Sequence, residues 1–168
     1  MKRSLILMRH AKSSWNNPML DDHDRPLNGR GQANARALGR WLRDTNCLPD
    51  LALVSTALRT RQTYDHLSFQ AEPVLLPSLY HAEDASLLNV LREQTAGCIL
   101  LIGHNPGIAE LAHHLAGSPQ DHPRFSDYPT GATTKFDIDG TWGDLDQTTA
   151  DIIDFVVPAD LATDAPTP

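Results

Sequence analysis

Apolar residues along this chain come in short uninterrupted runs, and between the runs they recur at helical spacing. Leu5-Ile6-Leu7-Met8, Leu51-Ala52-Leu53-Val54 and Ile99-Leu100-Leu101-Ile102 show no polar alternation. Such runs predict strands buried on both faces of a parallel sheet. Pro73-Val74-Leu75-Leu76 predicts a shorter strand between the second and third of them. Ala33, Ala37, Leu38, Trp41 and Leu42 predict a helix that begins near Asn28 or Gly29. Ser55-Thr56 predicts the start of a second helix, and Leu87, Leu88, Val90 and Leu91 a third, capped by Asp84. Ile108, Leu111, Ala112 and Leu115 predict a fourth, with Pro106 near its first turn. Strands and helices alternate, which is the pattern of an α/β protein. The expected architecture is a three-layer sandwich, with a mostly parallel central sheet and helices on both faces. The strand at about 98–102 belongs near its centre, and late strands at about 132–138 and 151–157 form an antiparallel edge.

Two stretches escape both periodicities. Residues 11–29 and 117–131 are rich in turn formers, and the first is longer than a connector needs, so it reads as a functional loop. No repeat or linker divides the chain, so residues 1–157 are expected to form one domain. Residues 158–168, rich in Ala, Asp, Thr and Pro, are expected to be a disordered tail.

Composition narrows the function classes. The apolar run at the amino terminus is too short for a signal-peptide core or a membrane span. Cys47 and Cys98 lack metal-ligand spacing, and the expectation is a reduced, cytoplasmic protein. A net charge of −7 argues against a nucleic-acid partner. The arginines nevertheless cluster early, from Arg9 to Arg61, which allows a cationic pocket built from the first half of the chain.

Candidate chemistry lies where strands end. Leu5–Met8 runs into Arg9-His10-Ala11-Lys12, and Ile99–Ile102 runs into Gly103-His104. Ligands of open α/β sheets bind at such carboxyl ends. Arg59 falls in the first turn of a helix, where a cation opposes the dipole and suggests a shared anion. Brought together, His10 and His104 with Arg9 and Arg59 suit phosphoryl transfer. A neutral imidazole is a nucleophile toward phosphorus, and guanidinium forks match phosphoryl oxygens. The arginines are expected to lower the His10 pKa by like-charge repulsion, and His104 to donate a hydrogen bond to a phosphoryl oxygen. The arrangement calls for no metal and no organic cofactor.

Arg9-His10-Ala11-Lys12-Ser13-Ser14-Trp15-Asn16 resembles the Arg-His-Gly signature of the histidine phosphatase (phosphoglycerate mutase-like) superfamily. Leu27-Asn28-Gly29-Arg30-Gly31, the stretch from Val54 to Thr63, and Gly103-His104-Asn105-Pro106 follow in that family's order, so the match spans roughly residues 4–140. Ala11, Lys12, the phrase Asp22-His23-Asp24-Arg25-Pro26-Leu27 and the short chain look like the SixA-type phosphohistidine phosphatase branch. The resemblance implies that His10 is the nucleophile that becomes phosphorylated, and that Arg9, Arg59 and His104 complete the pocket. It also implies phosphate contacts from Asn16, Lys12 and Ser13. The expected activity is that of a metal-independent phosphatase. Its substrate would be phosphohistidine of a protein, such as a phosphorelay or phosphotransferase component, or a small phosphate ester. Many relatives place a general-acid carboxylate in the loop entered here at Leu79, whereas this chain has Tyr80-His81, with Glu83 downstream. An imidazole leaves without such an acid, which suits phosphohistidine and argues against mutase activity. His81 and Glu83 are the candidates if an acid exists.

Other readings compete. Asp137-Ile138-Asp139-Gly140-Thr141 has the form of a magnesium-dependent phosphatase motif with Asp137 as nucleophile. Only 27 residues follow Thr141, and the segment reads better as an edge strand entering an Asp-Gly turn. His113 and His114 point to different sides of their helix and do not share an ion. A non-catalytic phospho-recognition module would use the same pocket as the enzyme, without turnover. No motif specifies the physiological substrate or the oligomeric state.

Overall fold

Every residue of the run Leu5–Met8 is buried, and alternate side chains enter opposite cores. The computed structural model describes residues 2–162. Its strands are β1 (Lys2–Arg9), β2 (Leu51–Ser55), β3 (Val74–Leu76), β4 (Cys98–Gly103), β5 (Thr133–Asp139) and β6 (Ala150–Val156). They form one sheet in the order β3-β2-β4-β1-β5-β6. The first four are parallel, and β5 runs antiparallel between β1 and β6. This is the expected α/β sandwich, a mostly parallel sheet with an antiparallel edge.

Helices α1 (Gly29–Asp44) and α2 (Leu58–Leu67) cover one face, and α3 (Asp84–Arg92) and α4 (Gly107–Ala116) the other. Ile6, Met8, Val54, Leu100 and Ile102 pack against Leu38, Leu42, Tyr64 and Leu67 of the first pair. Leu5, Leu7, Leu53, Ile99 and Leu101 pack against Leu87, Leu91, Ile108, Leu111 and Leu115 of the second. Each fully buried aliphatic side chain contributes about 1.5–3 kcal/mol, so the central strands are rigid supports for whatever their ends carry. No helix among the described residues is long and apolar enough to cross a membrane.

Several local details differ from the pattern reading. The buried stripe of α1 is Gly31, Ala35, Leu38, Gly39 and Leu42, while Ala33 is exposed. Asn28 caps that helix by accepting from the Gly31 N–H at 2.8 Å. Ser55 does not open α2: it is the last residue of β2, and the helix starts at Leu58. Asp84 is the first residue of α3 rather than its cap, a position taken by Glu83. The expected tail begins as a short helix, α5 (Pro158–Ala162). There the Asp160 carboxylate accepts from the Val157 N–H at 2.9 Å, and Leu161 packs onto the cluster of Leu38 and Leu42. The rest of that stretch, 163–168, lies outside the described residues.

Candidate active site

Because β1 and β4 are parallel neighbours with Arg9 opposite Gly103, the residues that follow them emerge side by side. The His10 and His104 rings lie with centroids 5.3 Å apart. His10, Arg59 and His104 are 5%, 3% and 4% exposed. His10 Nδ1 lies 2.7 Å from the Ala11 carbonyl oxygen. A carbonyl only accepts, so Nδ1 holds the proton and Nε2 carries the lone pair. His104 is set by the same logic. Arg59 Nη2 donates to its Nδ1 at 3.3 Å, so its Nε2–H donates to Ser55 Oγ at 2.8 Å.

Both imidazoles are held neutral. Burial pushes His10 down to about 3; the Ala11 contact opposes this, and the charges of Arg59, Arg9 and Arg25 reinforce it. The arginines lower it as the sequence led one to expect, but burial is the larger cause. His104 is pushed down to about 2 by burial first, then by His10 and Arg59. Both His104 nitrogens are engaged within the protein, so the expected free donor to a phosphoryl oxygen is not what this arrangement presents.

The anion that Arg59 shares is Asp22. Arg59 donates to the Asp22 carbonyl at 2.7 Å and to its carboxylate at 3.0 Å. Arg25 and Tyr80 donate to the same carboxylate at 3.2 and 2.5 Å, and His81 Nε2 lies 3.3 Å away. Burial would raise this carboxyl, but the hydrogen bonds from Tyr80 and Arg59 and the Arg59 charge outweigh it and hold it well below the usual carboxylate range. Two buried donors, Arg9 Nε and Arg59 Nε, have no protein partner among the described residues. An unsatisfied buried N–H of a charged group is costly, and an anion accepting from both relieves it.

A cavity of about 190 Å³ gathers Arg9, His10, Lys12, Ser13, Arg59 and His104. Ser13 is buried, its Oγ accepting from Arg25 at 2.9 Å, and Lys12 is exposed at the rim. Asn16 does not join them. The chain is pinned by the bridge between Ser13 and Leu27 and then turns outward, leaving Asn16 exposed, with its N–H donating to Ser14 Oγ. His81 lines the cavity, whereas Glu83 is exposed and lies outside it. Asp22, Arg25, Ser55 and Tyr80 were not anticipated from the motifs. Asp137 and Asp139 pair with Ser4 and Lys2 at the opposite edge of the sheet. His113 donates to the Phe125 carbonyl at 2.8 Å, and His114 is exposed. Among the described residues no group of three or more His, Cys, Asp or Glu is arranged to hold a metal ion.

The model of the histidine phosphatase superfamily (branch 1) matches residues 5–81. A solved structure assigned as the phosphohistidine phosphatase SixA of Nakamurella multipartitia is similar with a TM-score of 0.83 and 28% identity, covering 94% of this chain and 97% of that one. A second, assigned as SixA of Agrobacterium tumefaciens, has a TM-score of 0.77 and 30% identity, covering 93% and 99%. An uncharacterized chloroplastic protein of Arabidopsis thaliana is 36% identical over 133 residues, 70% of this chain, which spans 61% of that protein's length.

Proposed function

The chain belongs to the histidine phosphatase superfamily, and from that membership we propose that it hydrolyses phosphohistidine in proteins, or small phosphate esters, through a phosphorylated His10. Its family and its SixA-type neighbours support a phosphatase. The observation that carries the finer reading is the His10 tautomer: a neutral imidazole with its proton tied to Ala11 and Nε2 free, lining a pocket of guanidiniums.

The steps balance without metal or cofactor. His10 Nε2 gives its lone pair to phosphorus as the bond to the leaving nitrogen or oxygen breaks and that atom keeps the electron pair. Water then attacks the phosphoryl group, the N–P electrons return to His10, and inorganic phosphate departs. Arg9 and Arg59 aim their unpartnered Nε donors at the oxygens over which charge spreads, and His104 and Asp22 hold Arg59 in place. Lys12 and Ser13 line the pocket and are placed to add contacts, whereas Asn16 lies outside its lining. The imidazole of phosphohistidine leaves without assistance. For an ester oxygen, His81 beside Asp22 is the group at the mouth able to supply a proton.

Mixing the protein with phosphoramidate is expected to leave an acid-labile phosphoryl label on His10 and release phosphate catalytically. His10→Ala should remove the label and lower turnover by about 10⁴-fold or more, with the fold retained by circular dichroism. Persistence of label and turnover in that variant would overturn the assignment. Tight binding of phosphohistidine with neither label nor turnover would mark a recognition module instead.

A further inference from the structure

Beside the phosphoryl pocket, and sharing Arg9, Lys12 and Thr130 with it, runs a second open groove of about 400 Å³. Its charged lining is Arg9, Lys12, Arg30 and Arg124 against the single carboxylate Asp127. Asp127 is spent on Arg124, which donates to it three times at 2.9–3.1 Å. Among the described residues no carboxylate pairs with Arg9, Lys12 or Arg30. On a chain of net charge −7, three cations that make no ion pair among the described residues, with Asp127 acting on Arg9 only through space, therefore converge on one opening.

The walls of this groove are built. The Asn28 N–H donates to the Lys12 carbonyl at 3.0 Å, and α1 starts so close that a Cβ at Gly31 would lie 2.1 Å from that oxygen. Across the groove the Gly131 N–H reaches the Arg9 and His10 carbonyls at 3.2 and 2.9 Å. Gly131 has φ +78°, and a Cβ there would strike Pro158 at 2.6 Å. Both walls are thus tied to the backbone of the catalytic strand end. Arg30 sits in the first turn of α1, a turn with no acidic residue, where its charge opposes the helix dipole and folding gains nothing from it.

We propose that this groove docks acidic side chains flanking the phosphorylated residue of a protein substrate, an inference that rests on the phosphatase reading above. The groove has twice the volume of the phosphoryl pocket and opens directly from it, so a chain carrying the phosphoryl group places its neighbours there. Trp15, 72% exposed and stacked over Arg25 at 3.5 Å, lines the phosphoryl pocket but not the groove. A polypeptide reaches both surfaces at once, whereas a small ester fills only the pocket. Charges at such a rim act chiefly on encounter rate and are screened by salt.

The test compares phosphohistidine peptides flanked by glutamates with the same peptides flanked by lysines, in wild type and in Arg30→Glu, alongside phosphoramidate. Wild type is expected to favour the glutamate-flanked peptide by about tenfold in kcat/KM, through KM. Arg30→Glu should erase that preference and leave phosphoramidate turnover within about twofold, and raising salt from about 0.05 to about 0.5 M should erase it in wild type. Equal rates on the two peptides, or an equal loss on phosphoramidate in Arg30→Glu, would overturn the proposal, as would preferred turnover of a small phosphorylated dicarboxylate over either peptide. Equilibrium binding of the unphosphorylated glutamate peptide, expected to weaken about tenfold in Arg30→Glu, tests the groove whether or not turnover occurs. Failure of the phosphatase reading shows separately, as absence of label on His10.

Discussion

The two edges of the sheet treat charge in opposite ways. At the carboxyl edge, His10, Arg59 and His104 are nearly inaccessible, and Arg9 and Arg59 each bury an Nε that no group among the described residues satisfies. At the amino edge, Lys2 and Asp137 face each other at 3.8 Å with 72% and 36% of their side chains in solvent. A solvated pair of that kind contributes about 0–1 kcal/mol and has no need of a ligand. A buried, half-satisfied guanidinium costs several kcal/mol, which the rest of the fold must outweigh and which an oxyanion offsets. Two motifs with the form of a phosphatase signature, Arg9-His10 and the rival Asp137-x-Asp139 already disfavoured in the sequence, thus have different physical standing.

The sharpest way to break this contrast is to remove charge at each edge in turn. Arg59→Ala deletes a guanidinium lining the pocket and leaves Asp22 held by Arg25 and Tyr80, so turnover of phosphoramidate should fall by about 10²–10³-fold, equivalent to about 2.7–4 kcal/mol of lost transition-state stabilisation. Steady-state kinetics with phosphoramidate checks this. A loss below tenfold would mean that the buried fork is structural, and the two edges would then be alike.

A second test uses acid. Unfolded, His10 and His104 titrate near 6.5; folded, they are pushed to about 3 and about 2 by burial. Between those values the unfolded chain binds protons that the folded chain refuses. Their contribution to stability is therefore complete above about pH 6.5 and is lost as pH falls toward 3. The loss is about 1.4 kcal/mol per pH unit for each imidazole. Thermal unfolding from pH 7 to pH 5 should show a falling Tm in wild type and a shallower fall in His10→Asn and His104→Asn. Identical slopes would show that these rings are not held neutral by the fold.

What could be read in advance follows the same divide. His10 and His104 are legible because each ends an uninterrupted apolar run, and Arg59 because a cation opens a helix. Asp22, the partner of that cation, is not. The phrase from Asp22 to Leu27 marks its stretch, but with Asp21 and Asp24 beside it nothing local says which carboxylate reaches Arg59, 37 positions away. Ser55 is missed because a serine between a strand and a helix reads as a cap, whereas it ends the strand and accepts from His104. Asn16 errs the other way, since a motif supplies a position but not the outward turn that follows Ser13. In α1 the buried stripe runs through Gly31 and Gly39, residues that a count of apolar side chains ignores.

The smallest expected effect is the most direct test of the amino edge. Asp137→Asn removes one partner of a half-exposed pair on β5, where it lies opposite Ser4 and far along the sheet from His10. The change keeps the side-chain volume and the strand register, and it exchanges a screened attraction to Lys2 for a neutral contact. Stability should move by no more than about 0.5 kcal/mol, and turnover of phosphoramidate should stay within experimental scatter. The same neutrality is expected of Asp139→Asn, whose side chain is exposed at the strand's end. Urea denaturation and steady-state kinetics on both variants check this. If either substitution abolished turnover, or if magnesium restored activity to a chelator-treated sample, the nucleophile would have to be sought at Asp137, and the burial of two imidazoles at the other edge would need a different explanation.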